Sequence, residues 1–309
     1  MLAVAARRSG GRMGGTKMKK SPAERVGMTI VHIVCILAGV LTIVPFLYVV
    51  AGSFATEKEL VERAFFIVPH TISTNAYKYI INDGSIFRGL ANSFFIMIAG
   101  TFVNMLFTAT MAYPLSKSWL KGRNLVLNII IVTMLFSGGM IPNYLVVKNL
   151  NLLDSYWALI LPGAVNAFNL IIIKNFFQEL PQELEEAAKI DGCSDVGIFA
   201  KIILPLSKPA LASVGLFYAV SHWNDFFNSL IYLNSTEKFP VQIILRQIVL
   251  LAQGASADGS SIDFGVGGTP PELAVKMAAT VVATIPILCV YPFVQKYFEQ
   301  GVMVGAVKG

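Results

Sequence analysis

The sequence predicts an all-helical integral membrane protein with six transmembrane helices, and three observations support this fold class. The 309 residues are 55% hydrophobic and only 14% charged, whereas soluble domains carry about a quarter charged residues. The mean hydropathy is +0.66. Six windows are mainly apolar over about 20 residues, the length that a helix needs to cross a bilayer. The windows are residues 28–50, 89–115, 125–147, 155–177, 209–233 and 273–293.

Lysine and arginine residues predict the orientation of these spans. Seven of them precede Val26, and with the N-terminus inside the cell the cytoplasmic segments carry sixteen of the 24, against eight outside. Such an excess is usual on the cytoplasmic side. We therefore expect both termini inside, a basic cytoplasmic segment over residues 1–27 and a transmembrane domain over residues 28–309. A basic cluster beside an apolar span sets topology, so no nucleic-acid partner is predicted.

The first span should be retained, since it exceeds the apolar region of about 7–15 residues in a secretory signal. In this topology the segments 53–88 and 234–272 lie outside, and the Gly-rich end of the second is predicted to be mobile. The prolines within spans predict kinked, tightly packed helices. The three cysteines lack metal-site spacing and are predicted to be free, buried thiols.

The only long internal connection, residues 178–208, is predicted to form two short helices around a glycine. Pro181 suits the first turn of a helix, and the glutamates that follow it favour the positive end of the helix dipole. Gly192 offers the left-handed conformation that ends helices. Ser194 or Asp195 can then cap a second helix that runs to about Ile203.

This connection also carries apolar side chains at helical spacing. They are Leu184, Ala187, Ala188, Ile198, Phe199 and Ile202. Such a surface suits docking to a cytoplasmic partner. It equally suits packing of the hairpin against its own helix bundle, and the pattern alone leaves both interpretations open.

Polar residues near the centres of spans are costly unless they face water or the protein interior. The fifth window carries Ser221, Asn224, Asp225 and Asn228 on one face, the fourth carries Asn166 and Asn169, and the second carries Thr101, Asn104 and Thr108. With the aromatic Trp223, Phe226 and Phe227, these groups suit a sugar, which needs hydrogen bonds and ring stacking. They could instead join helices to one another.

Two rival functions follow from the same residues. His222 and Asp225 could relay a proton in an ion-coupled carrier, or could be hydrogen-bonded within the bundle or face an aqueous path. The hairpin could belong to a scaffold that transports nothing. The phosphate-binding pattern GxxxxGK[ST] is absent from the sequence, so nucleotide is expected to bind another chain. No catalytic constellation, metal site or cofactor is predicted here.

One motif in the hairpin resembles a known family. Glu186-Ala187-Ala188 is followed after three residues by Gly192 and after nine more by Ile202-x-Leu204-Pro205. This pattern resembles the "EAA" signature of permease subunits of binding-protein-dependent ABC importers. Three further stretches are similar to the carbohydrate, maltose-type branch: "NSFF" at Asn92, "WNDFFNSLIYL" at Trp223 and "QKYFEQGVMVGAVKG" at Gln295. Residues 136–162 resemble the subgroup that imports oligosaccharides from complex polysaccharides.

The resemblance implies a type I ABC importer permease fold in a bacterial plasma membrane, importing oligosaccharides by alternating access. It implies that the hairpin is a coupling helix between spans four and five, with Glu186 pairing a basic residue of an ATPase. The implied coupling residues are Glu186, Ala187, Ala188, Asp191, Gly192, Ile202, Leu204 and Pro205.

The implied partners are a second, similar permease, two ATPases holding ATP and Mg²⁺, and an external solute-binding protein. In this branch the partner permease can carry the solute contacts alone. The Gly-rich loop before Glu272 corresponds in position to the family's "scoop" loop, which reaches into that binding protein.

Overall fold

The computed structural model describes residues 22–252 and 273–306, in which every regular element is a helix. The α-helices are α1 (Pro22–Ser53), α2 (Glu57–Glu62), α3 (Asn75–Asp83), α4 (Ser85–Ser116), α5 (Arg123–Leu135), α6 (Met140–Asn149), α7 (Trp157–Ile160), α8 (Ala167–Glu179), α9 (Gln182–Ile190), α10 (Asp195–Ile198), α11 (Leu204–Leu206), α12 (Lys208–Trp223), α13 (Phe227–Tyr232), α14 (Val241–Ala252) and α15 (Leu273–Ala306). A π-helical turn (Phe199–Ile203) joins α10 to α11, and a 3₁₀ turn (Thr236–Lys238) precedes α14.

The chain divides into two units after Tyr48. In the first unit, the described residues belong to α1, whose Gly27–Ser53 stretch has a mean hydropathy of 2.7 and exposes most of its apolar side chains. A continuous apolar surface of this length is suited to lipid. The first predicted span, residues 28–50, is therefore a single uninterrupted helix.

In the second unit, α4 is the central helix and packs against α8, α12 and α14. Two glycines permit this close packing. A Cβ atom on Gly89 would lie 3.1 Å from the Cα atom of Val241 in α14, and one on Gly100 would lie 2.5 Å from Nε2 of His222 in α12. Helices pack closely in membranes where such small residues let their backbones approach.

The two ends of α4 hold different parts of the second unit. Near its beginning, the Asn92 side-chain amide donates to the Glu237 carbonyl at 2.7 Å, and the Val241 amide donates to the Ser93 hydroxyl at 2.9 Å. Near its end, Leu115 packs in one apolar cluster with Ile198 of the hairpin. Asn92 and Lys117 are about 37 Å apart along the helix axis at 1.5 Å per residue. The hairpin and the segment 234–240 therefore lie at opposite ends of a membrane-length helix.

Asp154 fastens the α6–α7 connection to the segment after α13. Its Oδ1 accepts hydrogen bonds from the backbone amides of Asn234 and Ser235 at 3.0 and 2.9 Å, and Lys238 Nζ lies 2.8 Å from its Oδ2. The Lys238 ammonium and then the Ser235 hydroxyl and amide hold the pKa of this carboxyl well below its usual range. This group of bonds fixes the connection at the beginning of α4.

The third predicted span is wrong as a continuous helix, because residues 125–147 form α5 and α6 with a bend of 116° between them. The chain turns through residues 136–139, where Gly139 has φ +85° and ψ 169°. This backbone conformation is open essentially to glycine alone. Gly138 and Gly139 thus interrupt an otherwise apolar run of residues.

The fourth and fifth predicted spans are also interrupted. Residues 155–177 contain the single turn α7 and then the 13-residue α8, separated at residues 161–166, where Pro162 has no N–H to continue a helix. Residues 209–233 divide into α12 and α13 at residues 224–226. In the described residues, two helices are long and apolar enough to cross a bilayer, or up to four if each bent pair counts as one span.

Three further expectations need correction. The outer segment 234–272 contains α14, a 12-residue helix that packs on α4 and α15, whereas only a loop was expected there. The three cysteines are exposed on the chain rather than buried. The second hairpin helix does not stop at Ile203, because the π turn carries it through Pro205 to Leu206.

The Gly-rich stretch 254–272, with the predicted scoop loop, and the basic residues 1–21 lie outside the described residues.

Candidate functional site: a polar cavity and a helical hairpin

A cavity of about 870 Å³ lies where α7, α8, α12 and α13 begin or end, with α4 and α6 completing its wall. It brings together all six residues predicted to line a solute path. These are Asn166, Asn169, Ser221, Asn224, Asp225 and Asn228. Interrupted helices that meet at one cavity are a common way for transporters to place polar backbone and side chains within a bilayer.

Two side chains of the "WND" stretch account for the interruption between α12 and α13. At the end of α12, the Val220 carbonyl accepts from the Asn224 side-chain amide at 2.9 Å and from the Asn224 backbone amide at 3.1 Å. Asp225 Oδ1 accepts from the backbone amide of Asn228 at 3.2 Å and from its side-chain amide at 3.0 Å, at the start of α13. The same residues therefore end one helix, start the next and line the cavity.

On the opposite wall, Asn166 starts α8. Its Oδ1 accepts from the Asn169 backbone amide at 3.1 Å, and its own backbone amide donates to the Tyr218 hydroxyl at 2.9 Å. That hydroxyl lies 2.8 Å from the buried Thr108 hydroxyl of α4. A chain of hydrogen bonds thus connects α4, α12 and the beginning of α8.

Asn104 of α4 fixes the state of His222. Its side-chain amide donates to the Gly163 carbonyl at 3.2 Å, which sets the orientation of the amide, and the same nitrogen lies 3.2 Å from His222 Nε2. An amide nitrogen can only donate, so Nε2 accepts and a neutral imidazole carries its proton on Nδ1. Because Asp225 bonds Asn228 instead, the described side-chain bonds do not join His222 to Asp225 in a proton relay.

The aromatic residues predicted for sugar stacking are not those on the cavity wall. Trp223 is buried against Phe94, with ring centroids 5.2 Å apart, and the Phe226 ring lies under the Arg246 guanidinium at 4.9 Å. Phe227 is exposed outside the cavity. In the described residues, the aromatic side chains of the wall are Phe168, Phe217, Tyr218 and Tyr232. The sequence prediction failed here because it assumed one continuous fifth helix.

Asn143 is a lining residue that the sequence analysis missed. It belongs to α6 and reaches the cavity wall, whereas the sequence predicts that it lies within a continuous third span. The sequence pattern that could have identified Asn143 is an isolated amide within an apolar window, beside Pro142 and just after Gly138 and Gly139. Asn104 was noted as polar, but its contact with His222 depends on Gly100 and is not visible in the sequence.

The hairpin has the predicted arrangement of a helix, a glycine and a second helix. Gly192 has φ +80°, and the Ser194 hydroxyl accepts from the Gly197 amide at 3.2 Å to cap α10. Ala188, Ile198 and Ile203 are buried in the cluster that contains Leu115 and Phe177. For this inner face, the interpretation that the hairpin packs on its own bundle is confirmed.

The outer face of the hairpin is open. Of the residues predicted for coupling, Glu186, Ala187, Asp191, Gly192 and Pro205 are exposed, Ile202 and Leu204 are half-buried and Ala188 is buried. Two large apolar side chains are exposed as well, Ile190 by 86% and Val196 by 76%. Together with Glu186, these side chains leave the outer face of the hairpin accessible to a protein partner.

A largely buried ion pair attaches the hairpin to α4. Lys117, at the end of α4, pairs with Glu185 of α9, and their side chains are only 12% and 15% exposed. Lys117 Nζ also lies 4.5 Å from the centroid of the Tyr113 ring. A cavity of about 210 Å³ beside this pair is lined partly by Trp119, Glu186 and Lys189. The hairpin is thus connected to the helix that carries Asn104.

Comparison with known proteins identifies the family. The family model described as "Binding-protein-dependent transport system inner membrane component" matches residues 104–304. The chain belongs to this family. The matched region includes both the cavity residues from Asn104 onward and the whole hairpin, and it confirms the resemblance found in the "EAA" motif.

Relatives and a solved structure agree with this assignment. The permease is 58% identical to Protein LplC of Bacillus subtilis (strain 168) over 88% of this chain and 91% of that protein. It is 53% identical to the polygalacturonan/rhamnogalacturonan transport system permease protein YtcP of the same organism, over 89% of this chain and 95% of that one. A bacterial ABC transporter involved in the import of the acidic polysaccharide alginate has a chain with TM-score 0.81 and 31% identity, covering 90% of this permease and 99% of that chain. The all-helical ABC importer permease fold is thereby established.

Proposed function

We propose that this permease subunit moves oligosaccharides, derived from complex polysaccharides, through the bacterial plasma membrane by alternating access. The cavity carries the proposal, because it combines amide, hydroxyl and carboxylate groups with aromatic side chains, as a sugar site requires. The substrates named for YtcP and for the alginate transporter support the same class of cargo. The solute leaves an external binding protein and passes the wall formed by α8, α12 and α13.

The proposed assembly contains a second, similar permease and two ATPase subunits that bind ATP and Mg²⁺. The hairpin supports this arrangement, since its inner face is anchored in the bundle while its outer face exposes Glu186 and apolar side chains. Glu186 would pair with a basic residue of an ATPase. The proposal includes six crossings with both termini in the cytoplasm, an arrangement in which the hairpin would lie on the ATPase side.

The proposed mechanism transmits ATPase closure through rigid elements. The Lys117–Glu185 pair would make the hairpin and the end of α4 move together. Asn104 and Thr108 of α4 contact the interrupted helices at the cavity, so displacement of α4 would change the cavity wall. The solute undergoes no chemical reaction in this mechanism.

The test replaces Glu186 by lysine in cells that depend on this permease for uptake of a labelled oligosaccharide. We expect uptake to fall more than about tenfold, because a like-charge contact at an interface costs several kcal/mol. The ATPase should no longer co-purify with the permease, while the amount of permease in the membrane stays unchanged.

Glu237→Lys is the matched control, because Glu237 is an exposed glutamate at the opposite end of α4. It should leave co-purification of the ATPase unchanged. Normal co-purification and normal uptake with Glu186→Lys would contradict the coupling role. Normal sugar uptake in cells that lack the permease would instead support a scaffold.

A further inference from the structure

The ionisable side chains on the cavity wall conflict with an acidic cargo. In the described lining, Asp225 is the acid and His222 the base, and lysine and arginine do not occur. His222 is held as an acceptor by Asn104 and supplies no fixed positive charge. Yet polygalacturonan and alginate, named for two similar proteins, are polymers of sugar acids. A carboxylate of such a cargo would meet Asp225 without a neutralising partner on this wall.

Asp225 is also equipped to bind sugar hydroxyls. Both contacts from Asn228 go to its Oδ1, and Oδ2 has no hydrogen bond to any described residue. Burial works against the ionised form of this carboxyl, while the two donors on one oxygen favour it. The ionised Oδ2 can accept from one or two hydroxyls, and charge-assisted hydrogen bonds of this kind are roughly twice as strong as neutral ones.

We infer that Asp225 is a specificity-determining residue that admits hydroxyl-bearing faces of the cargo and disfavours carboxylates. Uronate units pass this wall with their carboxylates turned away from Asp225, and neutral units pass in either orientation. This inference rests on the proposed function, because it concerns the cargo of the same cavity.

The test compares uptake of an oligogalacturonate trimer with uptake of its methyl ester, which has the same skeleton without the charge. Asp225→Asn keeps the size of the side chain and one oxygen that can accept from Asn228, and it removes the charge. We expect it to raise the ratio of acid to ester uptake by about twofold, because this is the effect of the repulsion between two carboxylates some 8 Å apart in a water-filled cavity. The selectivity of the external binding protein is the same for every variant and cancels from this comparison.

Ser221 provides a test of opposite sign that does not alter the α12–α13 interruption. It is exposed and lines the same cavity. Ser221→Asp adds a second carboxylate and should lower the ratio of acid to ester uptake, whereas Ser221→Asn, the neutral variant of matched size, should not. Permease content of the membrane is measured for each variant by immunoblot.

The outcomes separate this inference from the proposed function. If the wild type takes up at least one of the two sugars and neither Asp225→Asn nor Ser221→Asp changes the ratio, the charge selection is wrong and the sugar permease stands. If the wild type takes up neither this acid nor its ester, nor any other oligosaccharide, the proposed function fails and the charge selection fails with it.

Discussion

At the residue scale, the cavity wall depends on Gly100, because glycine has no Cβ atom. A Cβ atom at this position would lie 2.5–2.8 Å from three atoms of the His222 ring, closer than van der Waals contact allows. The ring is held by Asn104, and Asn104 in turn holds the Gly163 carbonyl between α7 and α8. Displacing the ring would therefore disturb the wall on two sides.

We predict that Gly100→Ala lowers stability by about 1–3 kcal/mol, the usual cost of overpacking, and lowers sugar uptake with it. Thermal unfolding of the purified protein measures the first effect. Gly215→Ala is the matched control, because Gly215 belongs to α12 and a Cβ there would meet Met105 at an ordinary 3.8 Å. A melting temperature for Gly100→Ala equal to that of Gly215→Ala would refute the prediction.

At the scale of elements, α4 is the physical connection between hairpin and cavity. It is followed directly by Lys117, which pairs with Glu185, and its middle carries Asn104 and Thr108. Breaking a buried ion pair leaves one charge without a partner and typically costs about 3–5 kcal/mol. Exchanging the two charges restores the pair.

We predict that Lys117→Glu and Glu185→Lys each reduce the sugar transported per ATP hydrolysed, and that the double exchange restores most of it. Transport and hydrolysis are measured together in vesicles that contain the whole importer. The ratio separates coupling from folding, because a misfolded permease lowers both quantities. Failure of the double exchange to exceed either single variant would exclude the pair as the connection.

The sequence predicted elements well where one physical signal dominates. The first two windows, residues 28–50 and 89–115, became the uninterrupted helices α1 and α4. The next three windows were predicted as continuous because an average over about 20 residues conceals a break, although Gly139, Pro162 and Asn224 were visible in them. The helix α14 was missed because its 12 residues are too short for a spanning window.

The candidate site was predicted more completely than the helices that carry it. All six polar residues predicted for a solute path line one cavity, since a polar side chain has few stable positions within a bilayer except a shared interior. The aromatic residues were predicted wrongly, because an apolar ring is equally stable in lipid, in the core or at a cavity. Their placement depends on tertiary packing, as the contact of Trp223 with Phe94 shows.

At the scale of the whole molecule, the proposed orientation can be tested with a native cysteine. Cys193 lies in the hairpin and is exposed, whereas Cys35 and Cys289 belong to the long apolar helices α1 and α15. We predict that a membrane-impermeant maleimide labels Cys193 in inside-out vesicles stripped of the ATPase subunits but not in intact cells. Mass spectrometry of the labelled peptide identifies the site.

The control for orientation places a cysteine at the other end of α4. Thr236→Cys in a Cys193→Ser background should be labelled in intact cells, because Thr236 is exposed near the beginning of that helix. Labelling of Cys193 from outside the cell would reverse the topology and remove the hairpin from any contact with cytoplasmic ATPases.

The interrupted helices place the ends of two helix dipoles at the cavity wall. The start of α8, at Asn166, and the end of α12, at Asn224, both reach its wall, and helix ends carry about half an elementary charge of opposite sign. A sugar hydroxyl, which both donates and accepts, matches such a pair of fixed dipoles. Moving an uncharged sugar past them transfers no net charge, so at this wall the membrane voltage neither drives nor opposes its passage.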